Sequence, residues 1–350
     1  MSMILTMILV LTLVLAAMAV TTRHASGMQL FAEVQTTTSE GLSVEMKTYY
    51  DMTLIDEAEA NLVHEQFGQK RPIPANGGLK IEFRKFASLP KALTPLTEGV
   101  TPPGKSLSVS KIEATVSQYG DFVTQSDVLE MTAIDNTIVE ATKVLGRQAG
   151  MTLDTIVRNV MQSGNNVTYC PKVGTDGTET PVTSRATLDN TCQLTVKVLQ
   201  QVVAKLRAQN APTINGKYVA IVHPYVAYDL MQDKDWKYPH QYAAPENIFN
   251  GEIGEIAGVR FLESSEAKIY TGGVFGTLIF GDGAYGVTEV TGGGLQTIIK
   301  QKGSAGTADP LDQRSSVGWK AMRTAEILIP QYLVRVESKS AAFSATATEN

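Results

Sequence analysis

Hydrophobic positions along this chain switch between helical spacing, strict alternation and short unbroken apolar runs. Ser43 to Gln66 carries a weak helical pattern through Val44, Tyr49, Met52, Ile55, Ala58 and Leu62. Lys80-Ile-Glu-Phe-Arg-Lys-Phe86 alternates with period two and predicts a strand, introduced by the tight-turn signal Asn76-Gly77-Gly78. Leu107 to Val116 alternates in the same way, and Tyr119 to Thr124 is expected to pair with it across a short turn. Thr132 to Met161 is the longest periodic segment, with Ile134, Ile138, Leu145, Leu153, Ile156, Val160 and Met161 near helical spacing and Gly164 closing the run. Such a helix spans roughly 45 Å at 1.5 Å per residue. Gly146 and Gly150 inside it each cost about 1 kcal/mol against Ala, so a close contact or a bend is expected there.

Beyond the Gly/Thr-rich stretch Asn165 to Thr183, Leu188 to Gln209 predicts a second amphipathic helix ended by Asn210-Ala211-Pro212. Tyr218 to Val222 reads as a buried strand, and His223-Pro224 turns it into a short helix over Tyr225 to Met231. From Gly251 onward glycines separate short strands at Val259–Leu262, Val274–Phe280, Gly286–Val290 and Leu295–Ile299. Trp319 to Ile329 and Tyr332 to Glu337 are closing strands, and the Ala/Ser/Thr tail after Lys339 is expected to fray. Together these elements make an α+β chain.

Gln69 to Gly104 stands apart. Its prolines and glycines bar a long helix, and it is too polar to form a core of its own. It gathers Lys70, Arg71, Lys80, Arg84, Lys85 and Lys91 around Glu82, in a chain that is acidic overall. A basic, extended ribbon with little to pack against in its own chain points first to a neighbouring subunit. A plain surface loop ranks second and nucleic acid third, because Phe83 and Phe86 alone make no stacking platform.

The charge balance, 30 basic against 35 acidic residues, excludes a chain that wraps nucleic acid with its whole surface. Cys170 and Cys192 are too few for a disulfide scaffold and are expected as reduced thiols. Met3 to Val20 is apolar apart from two threonines and ends in a cleavage-like Ala17-Met18-Ala19, yet no basic residue precedes it. The functional chain is therefore expected to begin near Met28, with a true export signal as the other reading.

Gly99-Val-Thr-Pro-Pro-Gly104-Lys105-Ser106 matches the phosphate-binding loop pattern literally. Pro102 and Pro103 remove two of the required backbone donors, and a strand rather than a helix follows Lys105, so a proline-stiffened hinge is the better reading. His24, His64, His223 and His240 lack metal spacing, and His223 with Asp229, Asp233 and Asp235 is read as a solvated acidic helix end. Asn166-Val167-Thr168 accepts a glycan only in an exported chain. No nucleophile elbow or metalloprotease helix occurs, and neither catalytic residues nor a cofactor site are expected.

The order of parts resembles the HK97-like fold of tailed-phage major capsid proteins. The strings LSVEMKTYYD, QFGQKRPIPANGGLKIEFRKF, LTEGVTP, QYGDFVTQSDVLEMTAID, GEIGEIAGVRF and DPLDQRSSVGWK are similar to the N4-type major capsid protein family over about Met28 to Glu337. The resemblance implies an apolar leader or upstream extension at 1–27, an N-terminal arm at 28–68 and an extended E-loop at 69–104. It further implies a first part of the peripheral domain with the spine helix at 105–181, an axial domain at 182–294, and a return to the peripheral domain with the C-terminal tail at 295–350. The implied function is structural. Copies of the chain, in hexamers and pentamers, form an icosahedral shell around double-stranded DNA held non-specifically. A portal and scaffolding or decoration proteins are the further partners, with no small-molecule substrate, and assembly takes place in the host cytoplasm before the protein resides in the virion capsid. In that setting the E-loop cations are expected to face acidic groups near the neighbour's spine helix, with Glu130, Asp135, Glu140 and Asp154 as candidates. An encapsulin-like compartment shell and a secreted two-domain enzyme are the alternatives.

A soluble precursor is poorly served by a largely apolar stretch of eighteen residues. N-terminal peptide mass spectrometry of particles is expected to place the first residue near Met28 or later; intact peptides covering Leu9 to Val20 would refute this.

Overall fold

The computed structural model describes residues 52–58, 62–74, 76–86, 89–96, 98–101, 104–132, 137–174, 176–236, 254–304 and 309–350. The leader at 1–27 and the first part of the arm lie outside them. Two compact units divide the described residues: a smaller one that takes in those of 122–141 and 298–318, and a larger one that takes in those of 48–121, 142–297 and 319–350.

In chain order the strands are β1 (Gln69–Lys70), β2 (Lys80–Phe86), β3 (Val109–Thr115), β4 (Ser117–Ser126), β5 (Val167–Tyr169), β6 (Lys172–Val173) and β7 (Glu179–Thr180). They continue as β8 (Tyr218–Val222), β9 (Glu255–Ile256), β10 (Val259–Glu263), β11 (Ile269–Tyr270), β12 (Val274–Phe280), β13 (Tyr285–Glu289), β14 (Gln296–Lys300), β15 (Arg314–Ile327) and β16 (Leu333–Lys339). The helices are α1 (Asp127–Thr132), α2 (Thr137–Gln162), α3 (Val196–Ala208) and α4 (Pro224–Gln232), besides a helical segment at 52–58.

In the larger unit a seven-stranded sheet runs β5-β16-β12-β8-β10-β9, with β11 added to β12. β12 and β8 are buried at every position, which explains their unbroken apolar sequences. Helices α3 and α4 pack Val198, Leu199, Val202, Leu206, Val226 and Leu230 against this sheet in one apolar cluster with Cys170 and Cys192. Both cysteines are free, as expected, and burial pushes each thiol up. Within the smaller unit, the Asp127 N–H donates to the Gln313 carbonyl at 2.9 Å, and Gln125 Nε2 donates to the Thr137 carbonyl at 3.4 Å.

Several local expectations change. The long helix is α2; Asp135 of the expected capping pair lies outside the described residues. α3 starts at Val196 instead of Leu188, because Thr195 caps it by accepting the Val198 N–H while Leu188 and Cys192 are buried in the preceding loop. The partner of β3 is β2, register Lys80↔Thr115 to Phe86↔Val109, whereas Tyr119 to Thr124 belongs to β4, which pairs with β15. The tail does not fray. Phe343 stacks on Tyr225 at 4.3 Å between ring centroids, and Ser344 Oγ donates to the Gly273 carbonyl at 2.8 Å.

The two glycines of α2 mark a close approach, not a bend. A Cβ on Gly146 would lie 2.8 Å from the Leu54 carbonyl oxygen, and one on Gly150 only 2.4 Å from that of Ala58. Leu54 and Ala58 are fully buried against this face. Helix propensity alone predicts that Gly150→Ala stabilises by about 1 kcal/mol. The overlap with backbone reverses the sign, and a net loss of about 1–3 kcal/mol is expected in denaturant unfolding of the unassembled subunit. A raised midpoint would refute the contact.

Candidate intersubunit surface

The ribbon grows from a rigid root. The Arg71 N–H donates to the Val287 carbonyl at 3.2 Å, the Ile73 N–H to that of Glu289 at 2.8 Å, and the Thr291 N–H back to Ile73 at 2.8 Å. Asn76 and Gly78 take positive φ values of 66° and 85°, turning the chain into β2.

The expectation that the ribbon has little to pack against in its own chain fails at β2. Phe83 is 4% exposed, clusters with Ala114 and Leu328, and lies under the Arg71 guanidinium at 5.7 Å. Gly286 permits this, since its Cβ position is 3.0 Å from the Phe83 ring. Side chains on the opposite face remain in solvent, Arg84 among them. There Lys111 Nζ donates to Glu113 at 2.7 Å and Glu82 at 3.3 Å. These bonds raise the Lys111 ammonium, and the Lys111 contact lowers the Glu113 carboxyl. Lys80, Lys91 and Arg71 are exposed, Lys70 sits 3.7 Å from Glu65, and the Lys85 side chain lies outside the described residues.

The four acidic candidates fare differently. Glu140 is exposed on α2. The Glu130 side chain and Asp135 lie outside the described residues. Asp154 is no surface partner: it is fully buried, accepts the His64 N–H at 2.7 Å and meets His64 Nδ1 at 2.6 Å. Tyr285 Oη donates to the His64 carbonyl at 2.5 Å, and buried Glu65 meets Arg323 at 3.0 Å. This network ties the ribbon root to α2 and β15. Sequence reasoning missed it because His64 and Asp154 stand 90 positions apart and no local pattern links them.

Neither weighed motif survives as a site. No helix follows Lys105; residues 104–108 precede β3, and Lys105 Nζ donates to the Pro90 carbonyl at 3.3 Å. Pro102 and Pro103 lie outside the described residues. His223 caps α4, its Nδ1 accepting the Tyr225 N–H at 3.2 Å. Asp233, read as solvated, instead accepts the Val196 N–H at 2.9 Å, and Asp229 is buried. Among the described residues no cluster of His, Cys, Asp and Glu has metal-holding geometry, and no helix is long and apolar enough to cross a membrane.

Residues 110–336 match the family model described as phage capsid protein. The chain belongs to the phage capsid protein family. Its fold is that of HK97-like capsids, as three solved structures illustrate. The capsid of cyanophage P-SCSP1u superposes with a TM-score of 0.62 at 14% identity, covering 90% of this chain and 92% of that one. The capsid of cyanophage Pam1 gives 0.60 at 12% identity, covering 90% and 98%. The capsid of Ralstonia phage GP4 gives 0.58 at 14% identity, covering 90% and 97%. No curated protein sequence matches the chain.

Removing one partner of a buried hydrogen bond leaves the other unsatisfied, at a cost of about 1–3 kcal/mol. Asp154→Ala is therefore expected to lower the denaturant stability of the isolated capsid subunit by that amount; a change under about 1 kcal/mol would mean that His64 does not depend on Asp154.

Proposed function

We propose that this capsid protein closes as an icosahedral shell of hexamers and pentamers around double-stranded DNA, assembling in the host cytoplasm. The observation that carries the reading is the match of residues 110–336 to the phage capsid protein family, supported by a fold in which 90% of this chain aligns with 92–98% of solved capsid chains. The ribbon 69–104 acts as the E-loop and lies across an adjacent copy, α2 serves as the spine helix, and a portal with scaffolding or decoration proteins completes the particle. Heterologous contacts that close into rings are the symmetry such a shell requires. The exposed cations Lys80 and Arg84 support an electrostatic share in the ribbon contact. Single exposed ion pairs contribute about 0–1 kcal/mol, but repetition around every ring multiplies the effect.

Replacing Lys80, Arg84 and Lys85 together by Glu is expected to leave a folded subunit, because Phe83 still anchors β2, while complete shells fail to form. Circular dichroism beside sedimentation reads both properties. Normal shells from the reversed ribbon would sink the electrostatic role, and an unfolded subunit would show that these residues serve the core.

A further inference from the structure

The edge of β16 that carries β5 is completed by two separate segments. In a regular parallel pair, one residue donates its N–H to a carbonyl on the facing strand and accepts the N–H found two positions further along it. Just past Tyr169 that role is divided. The Cys170 N–H donates to the Glu337 carbonyl at 3.0 Å, while the Lys339 N–H donates to the Cys192 carbonyl at 2.9 Å. The chain's two cysteines thus share a single ladder position. Such sharing sets their backbones at the separation a disulfide spans, roughly 4.4–6.8 Å between Cα atoms. Both side chains are buried, and both belong to one apolar cluster with Leu188, Leu194 and Val336.

The two thiols differ in their surroundings. Burial, and then Cys192 beside it, keep Cys170 protonated. Cys192 lies next to the exposed Thr191, and its Sγ donates to Asp189 Oδ1 at 3.6 Å. Burial raises this thiol as well, but the Lys172 ammonium, itself paired with Asp189, opposes that and favours the thiolate. Cys192 is therefore the sulfur that meets an oxidant first. We infer that Cys170 and Cys192 form a redox cross-linking site, in which a small peroxide oxidises Cys192 to a sulfenic acid and Cys170 then closes a disulfide onto it. In the first step the Cys192 sulfur takes one oxygen atom as the peroxide O–O bond breaks, and the peroxide leaves reduced as hydroxide or alkoxide. In the second the S–S bond forms as the S–O bond breaks, and the Cys170 proton departs with the hydroxyl as water. The finished bond joins the end of β5 to the segment that leads into α3, and so clamps this edge of β16. It is a property of the single subunit and stands apart from the shell reading.

The test starts from full-length protein with both thiols free, as the structure holds them. After treatment with hydrogen peroxide and denaturation in an alkylating agent, non-reducing peptide mass spectrometry of the monomer band is expected to find Cys170 linked to Cys192 in most chains. The oxidised protein should unfold at a higher urea midpoint, and a reductant should reverse that shift. Cys170→Ser should show neither the link nor the shift, with its Cys192 carried on to the sulfinic acid. Cys192→Ser is a second unlinked control, so a folding defect in one variant leaves the comparison standing. Recovery of both thiols as alkylated cysteines would overturn the inference. So would Cys192 found as sulfinic or sulfonic acid in the unsubstituted chain, or a link confined to covalent dimers. A link that lowers the urea midpoint would overturn it too, because the two sulfurs would then meet only in a distorted fold.

Discussion

The absence of two β-carbons on α2 is the constraint on which the rest of the larger unit depends. Gly146 and Gly150 let the backbone of Leu54 and Ala58 lie directly on the helix. That approach brings the following segment down so that His64 reaches Asp154, Glu65 reaches Arg323, and Gln69 joins β13 in parallel register with Gly286. Burying a carboxylate is unfavourable unless its partners are placed well, so the Asp154 site tolerates one seating of the incoming chain and penalises others. The ribbon therefore leaves the body at a set point and in a set direction.

Packing against the body then falls off along the described part of the ribbon. The root is hydrogen-bonded to β13 and its extension, and β2 is pinned through Phe83. Past it, Leu89, Leu93, Leu96 and Val100 are exposed. A monomer rarely leaves so many large apolar side chains in solvent without a use for them. A fixed base with an apolar end suits an arm that must find a partner yet arrive in one register.

Local order was legible where local forces decide it. Val274–Phe280 was readable as a strand because an apolar β-rich run lies between glycines, and α4 because His223-Pro224 supplies both a cap and a favoured first residue. Pairing was not legible. Tyr119–Thr124 follows β3 directly and seemed its natural partner, yet β2, whose Glu82 is 29 positions from Lys111, takes that place. The tail misled by composition, since its Ala, Ser and Thr residues hide the one aromatic anchor, Phe343, that docks on Tyr225. Asp154 misled for a related reason. A carboxylate on a long helix reads as solvent-facing, and only a histidine from a remote segment reverses that.

The place of β16 has a consequence for how the protein is made. This last strand lies between β5 and β12 and pairs with both, in parallel and antiparallel fashion respectively. Asn166 donates to the Leu333 carbonyl across 167 positions of sequence. On the ribosome, the facing edges of β5 and β12 stay unpaired until residues 333–339 have been synthesised and released. The seven-stranded sheet can close only once residues 333–339 are available, and such long-range pairing slows folding. A nascent subunit thus cannot present the finished sheet to neighbours before residues 333–339 have joined it, which separates making the earlier strands from using them.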